Sequence, residues 1–103
     1  MNQEEVRVFP DARQKYVLVH TLHDGQDALL LWGNPQLQWH KDIVDEITQA
    51  GYEVVDVLGG GWLMPKPEEG IVYVWGTSDR YGLAPKHLVR EILKERVIAE
   101  EPK

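Results

Sequence analysis

Apolar positions along the chain fall into short blocks with two different periods, separated by turn residues. Val6-Arg7-Val8-Phe9 predicts a short strand, stopped by Pro10. Lys15 to Leu22 is rich in β-branched and aromatic residues and predicts a second strand. His23-Asp24-Gly25-Gln26-Asp27 is turn chemistry, and Ala28 to Trp32 returns as a third strand, so these two blocks predict a hairpin. The period then changes. Leu37, His40, Ile43, Val44, Ile47 and Ala50 recur at helical spacing. Asn34-Pro35 supplies a helix-opening pair at the start and Gly51 a stop at the end. Val54 to Leu58 predicts a strand closed by Gly59-Gly60-Gly61, after which Pro65 and Pro67 mark a loop.

Ile71 to Trp75 reads as a buried strand, and Gly76 to Gly82 as a polar loop. A second helix is predicted from near Pro85, with Leu88, Val89, Ile92 and Leu93 inward and Lys86, Arg90 and Lys94 outward. Val97 to Ala99 predicts a last short strand, and Glu100 to Lys103 a frayed end. The order β-β-β-α-β-β-α-(β) places the chain in the α/β or α+β class, with two helices on one sheet of about five to six strands. The order alone leaves open whether the helices cover one face or both.

Composition narrows the chemistry. At 103 residues the chain is one domain's worth, 1–103, with a hydrophobic fraction of 43% that permits a full core. It has no cysteine, which removes disulfides, thiolate metal sites and thiol nucleophiles. The polar start shows no basic-then-apolar leader, and no apolar run nears the roughly 20 residues of a membrane span. A cytoplasmic protein and a monomer are the expectation. The net charge of −6 disfavours a nucleic-acid partner, while a few placed cations and amides still allow an anionic ligand. The histidines show no metal-ligand spacing, so neither metal nor other cofactor is expected.

Candidate chemistry centres on His40. On the edge of the first helix's apolar stripe it is partly shielded, which lowers its pKa and leaves a neutral imidazole to act as base or nucleophile. The bland alternative is a core-edge histidine with one satisfied hydrogen bond. The loop Gly76-Thr77-Ser78-Asp79-Arg80-Tyr81-Gly82 joins a buried strand to a helix. Such loops present backbone amides to phosphates, with Ser78 offering a hydroxyl and Arg80 a guanidinium. Its alternative is a plain turn with Arg80 paired to Asp79 or Glu91. Lys15, at a strand end, is functional only beside a site. The triple glycine allows either a close backbone approach or a positive φ. For Trp32, Trp39, Trp62 and Trp75, packing is the simplest reading, although Trp39 and Trp62 flank the proposed site in sequence.

Four segments together resemble the Janus/Ocnus family, which includes the protein histidine phosphatases: Lys15 to Val19, Trp39-His40-Lys41-Asp42-Ile43-Val44-Asp45, Leu58-Gly59-Gly60-Gly61 and Val74 to Gly82. The resemblance spans roughly Asp11 to Val97. It implies a mixed β-sheet with two helices and hydrolysis of the P–N bond of phosphohistidine without a metal. It implies a catalytic role for His40, a positioning role for Lys15, and phosphate binding by Thr77, Ser78, Asp79 and Arg80 through amides and the Ser78 hydroxyl. The expected substrate is then a phosphorylated protein or a small phosphoramidate. The chain departs from animal members in two places: Trp62 stands where they carry an Arg after the triple glycine, and Trp32-Gly33 where they carry one before the helix. Arg80 replaces a small residue. A non-catalytic anion-binding or protein-interaction module on the same fold is the rival reading.

Overall fold

The computed structural model describes residues 3–103. A mixed six-stranded sheet runs in the order β1-β3-β2-β4-β5-β6, built from β1 (Gln3–Arg7), β2 (Gln14–His23), β3 (Gln26–Asn34), β4 (Glu53–Lys66), β5 (Ile71–Trp75) and β6 (Arg96–Ile98). The edge strands β1 and β6 run parallel to their neighbours and the inner pairings are antiparallel. Two helices, α1 (His40–Gln49) and α2 (Lys86–Leu93), complete an α+β fold.

The helices lie on opposite faces, as the alternation along β2 shows. Val17 and Val19 pack with Leu30, Ile43 and Ile47 under α1. Tyr16 and Leu18 pack with Leu31, Leu63, Val89 and Ile92 under α2. Both faces of β2 and β3 are therefore covered, which is why these strands read as nearly unbroken apolar runs rather than alternating ones.

Several boundaries differ from the sequence pattern, each for a local reason. Strand β1 ends at Arg7, not Phe9, because the buried Gln14 side chain takes both the amide and the carbonyl of Phe9 out of the ladder, at 2.9 and 2.8 Å. Asn34-Pro35 opens a turn instead of a helix: the Asn34 side chain accepts from the Gln36 amide at 2.9 Å, and α1 starts only at His40. Short polar side chains compete in this way with helix initiation. Gly51 does end α1, at φ 99°. The triple glycine does not close β4, which continues through it and through Pro65 to Lys66. The C-terminal segment is held by Arg13, which donates to Glu101 at 2.6 Å and to the Pro102 carbonyl at 2.8 Å, and Pro102 is buried. The expectation of a frayed end is thus corrected.

The triple glycine brings the loop after β5 against the sheet. At Gly59, φ is 145°, and a Cβ would lie 2.5 Å from the Ala84 amide nitrogen. The Gly60 amide donates to the Gly82 carbonyl at 3.0 Å, and Gly60 bridges to Leu83. Side chains here would push the 76–84 segment off β4.

Candidate functional site

Four elements converge on one cleft: β2, the start of α1, the glycine stretch of β4, and the loop between β5 and α2. The cleft has a volume of about 810 Å³, and its lining includes Lys15, His40, Thr77, Ser78, Asp79 and Arg80. All six residues singled out from the sequence therefore lie around a single space, although they span more than 60 positions of chain.

His40 is the first residue of α1. Trp39 before it is extended, at φ −121° and ψ 135°, and supplies no side-chain cap. His40 is 8% exposed, with Nε2 3.0 Å from the Gly61 carbonyl oxygen. A carbonyl only accepts, so Nε2 carries the hydrogen and Nδ1 of the neutral ring carries the lone pair. The ring comes close to β4 because Gly60 has no side chain: a Cβ there would sit 2.9 Å from His40 Cδ2. Burial pushes the His40 pKa below its ordinary 6.5, and the Lys15 cation pushes the same way; the Gly61 carbonyl and Asp79 oppose them. The positive end of α1 also disfavours an imidazolium.

This shift has a consequence for stability. The folded protein holds the His40 proton less tightly than the unfolded chain, so the contribution is present above pH 6.5 and is lost as pH falls through the lower folded value. His40→Asn is expected to flatten the acid side of the urea-midpoint profile below pH 6.5. An unchanged slope in that variant contradicts the assignment of a neutral, buried His40.

Lys15 sits between two indoles. Its Nζ lies 5.3 Å from the Trp39 ring centroid and 5.5 Å from that of Trp62. It donates to the Gln38 carbonyl, so it ties β2 to the segment that leads into His40. Trp62 stacks in turn on Trp75, with centroids 6.1 Å apart and planes 17° apart. Trp32 packs in the core as expected, but Trp39 is 65% exposed and lines the cleft with Trp62 and Trp75. Packing therefore does not account for Trp39. Trp75, for which packing is the simplest reading, also lines the cleft, and the signal for that position is its place at the end of β5, directly before Gly76.

The loop is a closed turn. Ser78 and Gly82 exchange both backbone hydrogen bonds, at 3.3 and 2.8 Å, and the buried Ser78 hydroxyl accepts from the Tyr81 amide at 3.1 Å. The Ser78 amide is thus engaged within the loop, while its hydroxyl proton is still available for donation. The amides of Thr77, Asp79 and Arg80 have no backbone partner among the described residues. Arg80 makes no ion pair among the described residues, and its guanidinium lies 5.7 Å from the Tyr81 ring. No group of three or more His, Cys, Asp or Glu among the described residues is placed to hold a metal ion. No helix among them is long and apolar enough to cross a membrane.

Fold and cleft together define a class: a mixed-sheet α+β domain with one helix on each face, carrying a shielded histidine in one cleft with a strand-to-helix loop that has amides and an arginine unpaired among the described residues. The chain belongs to the Janus/Ocnus family, whose sequence profile matches residues 2–101. It is similar to the sex-regulated protein janus-A of Drosophila yakuba, with 30% identity over 93 residues that cover 85% of this chain and 68% of that protein.

Proposed function

We propose that this chain hydrolyses P–N bonds, with phosphohistidine in a protein or a related small phosphoramidate as substrate and no metal ion taking part. The observation that carries this reading is the neutral His40, its Nδ1 lone pair unclaimed by the Gly61 contact, in the same cleft as Lys15 and the 77–80 loop. The resemblance to protein histidine phosphatases supports the choice of the P–N bond.

In this reading the free loop amides, the Ser78 hydroxyl and the Arg80 guanidinium bind the phosphoryl oxygens. Phosphoryl transfer asks mainly for positioning and charge stabilisation, which such a cradle supplies. Nδ1 of His40 accepts a proton from water as the water oxygen attacks phosphorus. The P–N bond breaks with its electron pair on the leaving nitrogen, which takes a proton from solvent while Nδ1 returns its own to solvent, so the products are histidine and inorganic phosphate and His40 is again neutral. Direct attack by Nδ1 on phosphorus is the variant route, and an acid-labile phosphoenzyme trapped during turnover distinguishes it from water attack.

Arg80→Ala is expected to raise KM about tenfold with a smaller change in kcat, because it removes a charge-assisted contact to the bound phosphoryl group. Unchanged KM removes Arg80 from the site. One observation favours a second reading, an anion-binding module without turnover. Lys15 is committed to the Gln38 carbonyl and two indoles, which leaves fewer donors for a transition state, and the resemblance implies an Arg where this chain has Trp62. Phosphate binding by the wild type with no phosphate release from phosphohistidine selects that reading.

A further inference from the structure

The face of the sheet under α2 holds a second cavity, of about 230 Å³, that has the Trp75–Gly76 segment in common with the His40 cleft and no other lining residue. Val74, Leu83, Val89 and Val97 contribute apolar wall. Tyr16, 1% exposed, contributes the one buried hydroxyl. That hydroxyl has no hydrogen-bond partner among the described residues, and burial alone pushes its pKa up to about 12. No side-chain polar atom among the described residues is sealed in the core without a partner, so the hydroxyl opens on the cavity it lines.

Lys86 and Arg90 also line the cavity. They stand four residues apart on α2 and so share one helix face. Neither makes an ion pair among the described residues, and no acidic residue lines the cavity. Two unpaired cations at an apolar cavity are a local reversal in a chain of net charge −6. A cavity of about 150 Å³ accommodates benzene, so this one takes a ring or short chain of about six to ten non-hydrogen atoms.

We propose that this cavity binds a small amphiphilic carboxylate. Lys86 and Arg90 hold the carboxylate, the Tyr16 hydroxyl donates a hydrogen bond to it, and the hydrocarbon part lies against Val74, Leu83, Val89 and Val97. The site is independent of the His40 chemistry and stands or falls apart from it.

The test titrates the full chain, ¹⁵N-labelled, with hexanoate and 3-phenylpropionate, using hexylamine and hexanol as charge controls. Saturable shifts centred on the Leu83, Val89 and Val97 amides, with the carboxylates alone, are expected. The exposed double variant Lys86→Gln/Arg90→Gln is expected to weaken binding at least about tenfold. Tyr16→Phe should also weaken binding while leaving the ligand-free melting temperature unchanged or raised, since it deletes a hydroxyl with no protein partner. The proposal is overturned by shifts that do not saturate, by shifts centred on Lys15 and Ser78, by equal binding of the amine or alcohol, or by a double variant that binds as well as wild type.

Discussion

Gly60→Ala is expected to lower stability by about 3 kcal/mol, at the upper end for an overpacked core, and to displace His40 as it does so. The reason is steric. Gly60 is not among the residues with positive φ, so alanine suits its backbone. A Cβ there would lie 2.6 Å from the Tyr16 carbonyl oxygen and 2.9 Å from His40 Cδ2. The first of these contacts is to backbone in the central strand, which cannot turn aside, so β4 must shift locally, and the second requires the imidazole to give way as well. For a domain of this size the loss corresponds to roughly 10–20 °C in melting temperature. Gly70→Ala is the control: φ there is 68°, but no atom lies within 4 Å of the added methyl, so only the backbone strain of about 1 kcal/mol applies. Thermal unfolding of the two variants separates steric from conformational cost. Equal losses would mean that the close approach of His40 to β4 is not a constraint on the fold.

The same glycine shows where the sequence is legible and where it is not. Strands β2 and β5 and the span of α2 could be read from residue type and period, because both the apolar runs of β2 and the stripe of α2 are direct consequences of burial. The start of α1 could not: Asn34-Pro35 carries every helix-opening signal, yet its side chain bonds locally at Gln36 and the helix waits for His40. The triple glycine was visible as needing a reason, but the reason is tertiary. It lies in the approach of Ala84, His40 and the Gly76 carbonyl, residues far away in sequence. Residue type marks the six candidate site residues one by one, whereas their meeting in one cleft is tertiary: the register of β2 with β4 sets Lys15 opposite Trp62, the Gly61 carbonyl holds His40, and Gly60 holds the loop through Gly82. The sandwich of Lys15 between Trp39 and Trp62 was not legible, since nothing in the spacing of two tryptophans says that a lysine lies between them.

His40→Ala is expected to reduce P–N hydrolysis by about 10³-fold, the range of a lost general base, equivalent to about 4 kcal/mol of barrier. The group lost is the neutral imidazole that burial and Lys15 hold below its ordinary pKa, with its hydrogen fixed on Nε2 by the Gly61 carbonyl. The loop is built independently of it, through Ser78, Tyr81 and Gly82, so inorganic phosphate should still perturb the Asp79 and Arg80 amides in the variant. The direct measurement is inorganic phosphate release from phosphohistidine, without added metal, by wild type and His40→Ala side by side. Release by the wild type with the variant at background, and phosphate binding retained by both, is the result this account predicts. Turnover by the variant within tenfold of wild type, or none by either protein, contradicts it.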